Sequence, residues 1–466
     1  MRNYNPILNT DSYKASHFLQ MPAGSEYQHS YIESRGGTYD ETLFFGLQMF
    51  LKQYLSIAVT QDDIDDAELF LSQHGEPFNK AGWQRLLEKH NGVYPIRIRA
   101  VKEGTLVPIR NVLVTAENTD PEFMWMTSYL ETALLRAVWY PTTVATISKS
   151  IKKVIQGYLE ETGDPAGINF KLHDFGARGV SSFESASLGG AAHLVNFMGS
   201  DTISGIIALQ RYYNATVMPG YSIPASEHST ITSWGRENEK AAYENMLKQF
   251  GKQGAMFACV SDSYDILEAC NMWASMREQI VDSGAMVVVR PDSGHPETVV
   301  LEVVQRLAEG FGTTTNAKGF KVLNNIRVIQ GDGINEQSIR GILMNLKFAG
   351  FSADNVAFGM GGALLQQMNR DTQQFAMKCS AIRINGEWID VYKDPVGDKG
   401  KTSKRGRLTL IRDYKGTGPN FKTIRVEDLK GYEDTSDWRE VLETVWENGI
   451  LLRDQTLDEI RAISNA

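Results

Sequence analysis

Asp174, Asp201, Asp262, Asp292 and Asp332 each sit in a turn with Gly or Ser beside or close to them. Carboxylates in such turns are the hard oxygen donors that Mg²⁺ requires, and they also accept from ribose hydroxyls. Basic residues occur in similar settings. Arg178, Arg290, Arg370, Lys378, Lys393, Lys401, Lys404, Arg405 and Arg407 lie in or next to Gly-rich turns. Arginine offers phosphate oxygens a planar fork and lysine a point charge. Together they suit a small, highly phosphorylated ligand. Each has a plainer explanation. An Asp in a turn commonly caps a helix, a role that fits Asp262 best, and Lys404 or Arg405 taken singly reads as solvated surface. Arg290 and Arg370 stand beside apolar runs, which favours a ligand or a buried ion pair.

Further residues suggest a flat, partly anionic substrate. Gly359-Met360-Gly361-Gly362 precedes an apolar, helix-like stretch over 363–368. Bare glycine backbone lets N–H groups approach an anion there, although tight turns produce the same pattern. Phe175 follows Asp174 directly, at a strand end where an exposed ring could stack on a heteroaromatic. Tyr13 is a second aromatic candidate. His228, after Glu227 in PASEHST, reads either as a structural histidine or as a proton shuttle or phosphorylatable nucleophile.

These residues need a scaffold that brings strand ends together. Met286-Val287-Val288-Val289 is an unbroken apolar run, as in a strand buried on both faces, and it stops at Arg290-Pro291-Asp292-Ser293-Gly294. Segments 171–179, 257–265, 327–333 and 355–363 repeat the plan. Helix-like stretches at 265–283, 297–309 and 335–347 fall between them. Strand, polar turn and helix in alternation predict a parallel α/β array, with its ligand site at the carboxyl ends of the strands. Upstream, 27–35, 96–101 and 112–117 read as strands, and 42–55, 61–74 and 80–89 as helices. A helix over 121–157 should break or bend at Pro141. Downstream, Asn385-Gly386 signals a hairpin, 388–393 and 407–413 are strand-like, and 440–448 and 457–463 helix-like. The predicted division is a discontinuous α+β domain, 1–140 with 381–466, and an α/β barrel domain, 141–380.

The composition narrows the class. The 466 residues are 42% hydrophobic, enough for two domains, and the net charge of −9 argues against nucleic-acid or membrane-surface binding. Cys259, Cys270 and Cys379 are widely spaced and show no metal pattern, which points to buried thiols in a reducing compartment. MRNYNPILNTDSYK lacks the apolar core of a signal peptide, and no apolar run reaches spanning length. The expectation is a cytoplasmic protein.

Taken in order, TDSYK (10–14), HDFGARGVSSFESA (173–186), Gly199-Ser200-Asp201, PASEHSTITSWG (224–235), VSDSYD (260–265), RPDSGHP (290–296), VIQGDG (328–333), GMGGALLQ (359–366), NRD (369–371) and YKDPV (392–396) resemble the nicotinamide phosphoribosyltransferase family over nearly the whole chain. That resemblance implies a type II phosphoribosyltransferase fold, an irregular α/β barrel plus a mixed domain built from both chain ends, in a homodimer with shared active sites. It implies conversion of nicotinamide and 5-phosphoribosyl-1-pyrophosphate to nicotinamide mononucleotide and pyrophosphate, in NAD salvage.

The resemblance also assigns roles. Phe175 and a second subunit's Tyr13 sandwich the pyridine, while Arg178 and Asp201 hold the carboxamide. Asp262, Arg290 and Asp292 serve the ribose and Mg²⁺, the carboxylates acting directly or through water or ligand. Gly331, Asp332, Gly361 and Gly362 surround the ribose and 5′-phosphate, and Arg35, Arg370, Lys378, Lys393 and Lys401 meet pyrophosphate. His228 takes a phosphoryl group from ATP. Three positions depart from the family pattern: Ala177 stands where Tyr is frequent, and Ala258 and Ala376 where Ser occurs. The loop after Arg35 is also short. Two other readings stand beside this one, a nicotinate-using enzyme and a non-catalytic binding protein on the same fold.

Overall fold

The computed structural model describes residues 4–397, 402–415, 420–435 and 437–466, and divides into two units. One holds residues 1–146, 208–215 and 368–466; the other holds 147–207 and 216–367. Lys401 lies outside the described residues.

The second unit is the α/β array. Its sheet has the order Gly199–Ser200, Leu172–Asp174, Val356–Met360, Ile326–Gln330, Met286–Arg290, Met256–Val260, and every pairing is parallel. The segment after Gly220 closes the curl. Tyr221 bridges to Gly199 and Ala225 bridges to Ala258, both in parallel sense, so one stretch of backbone joins the two edge strands. The result is an irregular barrel.

Side chains alternate across each strand. Ala258, Val288 and Ile329 form a small inner apolar cluster with Phe175, Ile223 and Ala357 against it. Phe257, Cys259, Val287, Val289 and Val328 are fully or almost fully buried on the other face. The helices begin where their caps dictate. Asp265 Oδ1 accepts from the N–H groups of Leu267 (2.9 Å) and Glu268 (3.1 Å) and starts Ile266–Ser275. Asn335 does the same for Glu336–Phe348 through a capping box with Ser338. Pro296 opens Pro296–Phe311 at a position where its missing N–H has no intrahelical partner to lose.

The first unit is built on a seven-stranded sheet in the order Glu387–Asp390, Phe375–Ile384, Ser25–Ser34, Val112–Asn118, Ile96–Ala100, Glu443–Glu447, Ile450–Leu451. All its pairings are antiparallel. Asn385 (φ 48°) and Gly386 (φ 86°) make the two-residue hairpin turn that Asn-Gly favours. Trp83 anchors the core, edge-on to Trp125 at 4.9 Å and Tyr129 at 5.3 Å.

Several expectations are corrected. Residues 440–448 are not helical; Glu443–Glu447 pairs with Ile96–Ala100 and buries Val445 and Trp446, so tertiary pairing overrides local pattern. Pro141 neither breaks nor ends its helix, which runs Glu131–Thr162. Nearby, the Thr143 hydroxyl donates to Trp139 O (2.6 Å) and that of Thr142 to Phe45 O (3.1 Å), outside the helix. The stretch 42–55 begins as strand Glu41–Leu43 and continues as the short helical turns Leu47–Phe50 and Leu51–Leu55. The helix-like run over 363–368 is a single turn, Gly362–Leu365. Cys379 is half-buried, whereas Cys259 and Cys270 are buried.

Three segments of the expected barrel domain, 141–146, 208–215 and 368–380, fall in the first unit. Residues 368–380 do so because Phe375–Ile384 pairs with Ser25–Ser34. Residues 208–215 do so because Tyr213 stacks on Phe45 at 4.9 Å and the carbonyl of Tyr212 accepts from Gln48 (2.8 Å) and Lys52 (2.9 Å). No helix among the described residues is long and apolar enough to cross a membrane.

Candidate active site

The carboxyl ends of the barrel strands carry the sequence-selected residues, and hydrogen bonds separate ligand candidates from caps. Asp262 caps no helix; that role falls to Asp265. Asp262 Oδ1 instead lies 3.0 Å from Nε2 of His228, and its side chain is 4% exposed. His228 opens the short helix His228–Thr232, whose N-cap is Glu227. The strand edge sets its position: Ser226 N donates to Ala258 O (3.1 Å) and Val260 N to Ser226 Oγ (2.9 Å), so residue 228 emerges beside residue 262. Nδ1 of His228 lies 4.0 Å from Asp292 Oδ2. The imidazole therefore stands between two carboxylates. Donation of Nε2–H to Asp262 leaves the Nδ1 lone pair available.

Asp292 is likewise no cap. Arg290 places Nε (3.0 Å) and Nη2 (2.8 Å) on its Oδ1, leaving Oδ2 turned to His228. The Arg290 guanidinium also lies over the Phe175 ring, 5.8 Å from its centroid. The ring fits because nearby backbone is bare. A Cβ at Gly359 would come within 1.9 Å of Phe175 Cε2, and one at Gly331 would lie 3.3 Å from Arg290 Nε. Phe175 N donates to Met360 O (3.0 Å), which fixes the turn over the neighbouring strand.

Beneath that turn, Asp174 is fully buried and is neither a ligand candidate nor a cap. Its Oδ1 accepts from Gly176 N–H at 2.7 Å, and its carbonyl accepts from Asp201 N–H at 3.0 Å. One residue thus ties the Phe175–Arg178 turn to the Asp201 turn. Asp201 is exposed, and its carboxylate takes a short hydrogen bond from the Ser222 hydroxyl.

Two cavities share this edge. The larger, about 910 Å³, is lined by Phe175, Arg178, Asp201, Ser222 and Arg290 and extends to Lys171, Arg327 and Asp354 at or near the amino ends of the strands. At that far end Lys171 Nζ donates to the carbonyls of Ala353, Asp354 and Val356 at 3.0–3.1 Å, and burial pulls the ammonium down to about 8. The smaller cavity, about 480 Å³, is lined by Arg290, Asp292, Gly331, Asp332, Gly361 and Gly362, again with Phe175 and Arg178. The residues common to both put an aromatic face and two guanidinium groups between an apolar chamber and a glycine-walled polar one. No group of three or more metal-ligating side chains forms among the described residues.

The first unit carries the remaining candidates. Tyr13 is 53% exposed, edge-on to His17 at 5.0 Å. Lys378 is held below the usual ammonium range by burial and, more weakly, by the nearby charges of Arg35, Lys14 and Arg370; Glu131 opposes them. Arg35, Arg370 and Lys378 therefore form one cationic neighbourhood. Lys393 lies on the exposed loop after Glu387–Asp390, its N–H on Ser403 Oγ at 2.9 Å. Sequence reasoning missed Ser222, Lys171 and Arg327. Ser222 sits inside YSIPAS, next to the quoted PASEHST motif, and only barrel closure brings it to Asp201.

Asp174 yields a pH test. Burial, with a smaller push from the Asp201 charge, lifts its carboxyl to about 6, against about 3.9 in an unfolded chain. The folded state holds the proton more tightly, so stability from this group falls as pH rises from about 4 to about 6 and is then level. Asp174→Asn keeps an acceptor for Gly176 and removes that loss, which is worth up to about 3 kcal/mol. Its melting temperature relative to the parent should climb between pH 4 and 7. A pH-independent difference would contradict the buried carboxyl.

With this geometry in place, comparison with known proteins gives a consistent result. Residues 170–449 match the nicotinate phosphoribosyltransferase (NAPRTase) family model, and residues 5–98 match the nicotinamide phosphoribosyltransferase N-terminal domain. A nicotinamide phosphoribosyltransferase of Xanthomonas campestris is 57% identical over 99% of this chain and 98% of its own length. One from Acinetobacter baylyi is 32% identical over 98% and 96%. In fold, the chain is similar to the nicotinate-nucleotide pyrophosphorylase of Pyrococcus furiosus (TM-score 0.63, 15% identity, 100% and 97% coverage). It is also similar to human nicotinic acid phosphoribosyltransferase (TM-score 0.61, 16% identity, 98% and 93% coverage). On full-length identity together with two family models, the chain belongs to the nicotinamide phosphoribosyltransferase family of pentosyltransferases.

Proposed function

We propose that this enzyme transfers the 5-phosphoribosyl group of 5-phosphoribosyl-1-pyrophosphate to nicotinamide, giving nicotinamide mononucleotide and pyrophosphate in NAD salvage. The observation that carries the reading is the grouping of Phe175, Arg178 and Asp201 on one cavity. A pyridine lies against Phe175, and its carboxamide reaches Asp201. Ser222 occupies one carboxylate oxygen, leaving the other to accept from the amide NH₂. A substrate carboxylate at the same place meets like charge, so nicotinate is rejected.

In the reaction the bond from the anomeric carbon to pyrophosphate oxygen breaks with both electrons leaving on oxygen. The pyridine nitrogen lone pair forms the new bond on the opposite face. Positive charge developing on the ribose sits near Asp292, and leaving-group charge is met by cations, so positioning and charge compensation suffice without a covalent sugar–enzyme bond. The smaller cavity, with Gly331, Asp332, Gly361 and Gly362, suits ribose and the 5′-phosphate. Asp262 and Asp292 each keep one carboxylate oxygen outside their hydrogen bonds to His228 and Arg290. Two carboxylates suit a Mg²⁺ that arrives on diphosphate oxygens better than a resident, fully protein-bound ion. That ion would neutralise leaving-group charge.

The exposed Tyr13 of a second copy in a homodimer completes the pyridine side, and the cations Arg35, Arg370, Lys378, Lys393 and Lys401 are the pyrophosphate-side set. His228, held by Asp262, is the acceptor for ATP-dependent phosphorylation that drives the transfer forward, and the compartment is the cytoplasm. Nicotinate use is the rival reading, favoured by the family model that spans the barrel.

Asp201→Asn should raise the nicotinamide KM about tenfold, the effect of losing one charge-assisted hydrogen bond, and narrow the preference over nicotinate. Steady-state assays with both pyridines check this, and unchanged discrimination would count against the carboxamide role. His228→Ala should abolish stimulation by ATP while ATP-independent transfer persists. ATP coupling that survives in rate assays would remove the phosphohistidine.

A further inference from the structure

Arg110 holds a backbone conformation that its side chain makes costly. Its φ is +64°, in the left-handed region that disfavours any residue with a Cβ. The conformation serves the fold through main-chain atoms: Arg110 N donates to Ser34 O at 2.6 Å, at the end of strand Ser25–Ser34. Glycine would supply the same N–H without strain. The backbone therefore does not account for an arginine here.

The side chain points to the reason. Arg110 is exposed and forms no ion pair with any described residue, and its Nε makes a long 3.4 Å hydrogen bond to the carbonyl of Arg35. Arg35 is gripped from the other side as well. Its N–H donates to Gln374 O at 3.3 Å, and Gln374 is itself left-handed at φ +47°. Nε of Arg35 is buried and has no hydrogen-bond partner. Two strained residues thus flank one under-satisfied arginine, in the neighbourhood that includes Arg370 and Lys378. Strain of this sort persists where a site has use for it.

We propose that Arg110 is a further substrate-binding cation of the first unit, whose guanidinium, beside that of Arg35, contacts the pyrophosphate group of 5-phosphoribosyl-1-pyrophosphate. The inference rests on the reading of Arg35 as a pyrophosphate-side residue. It adds a recognition element that no Gly- or Asp-rich motif announces.

R110G and R110K, with R35A as the control, test it in the full-length enzyme. Inhibition by inorganic pyrophosphate and by nicotinamide mononucleotide, whose one phosphate is the 5′ group, is measured beside the KM for 5-phosphoribosyl-1-pyrophosphate. R110G should raise that KM and the pyrophosphate inhibition constant about tenfold and leave the mononucleotide constant unmoved. Its melting temperature should stay level or rise, because the strain is relieved. R110K keeps the charge and the strained backbone but not the planar fork, so its pyrophosphate constant should fall between those of the parent and R110G. An unmoved pyrophosphate constant in R110G, whatever the melting temperature, overturns the inference when R35A does raise it. If R35A also leaves it unmoved, the reading of this whole face is at fault.

Discussion

The site depends on how closely side chains can lie against bare backbone at the carboxyl ends of six parallel strands. Phe175 occupies space that any side chain at residue 359 would fill, and Arg290 with Asp292 packs over Gly331. Aromatic face, guanidinium and carboxylates are thereby crowded onto one edge. An otherwise acidic protein can then present cations and anions within a few ångströms of each other, each fixed by a named hydrogen bond.

Two devices hold this edge in register. Asp174, withdrawn from solvent, ties the Phe175–Arg178 turn to Asp201 by a side-chain acceptor and a main-chain acceptor. The Tyr221–Ser226 stretch joins the edge strands and delivers Ser222 to Asp201 and His228 to Asp262. Both couple residues proposed to read a substrate to residues that only shape the barrel. Substitutions at positions 174 and 222 should therefore be felt in recognition as well as in stability.

Much of this was legible in the chain. Apolar runs ending in Asp- or Gly-bearing turns located the strand ends, because a parallel strand buried on both faces leaves little other pattern. The turns could not say which Asp caps a helix. Asp265 and Asn335 do so, whereas Asp262 and Asp292 face His228. Closure of the barrel was invisible because it rests on two isolated bridges rather than a strand-like run. Glu443–Glu447 reads as helix until Ile96–Ala100 pairs with it, and Pro141 reads as a break yet lies inside Glu131–Thr162. Long-range partners decide the strand and the closure. The cavity's far end, at Lys171 and Arg327, was missed for the same reason.

Specificity turns on where the pyridine ring lies and what reads its substituent. A crystal structure with nicotinamide mononucleotide tests this most directly. The ring should lie against Phe175 with its amide nitrogen about 3 Å from the Asp201 carboxylate. A ring seated elsewhere, or an amide held by another group while Asp201 keeps only Ser222, would contradict this placement.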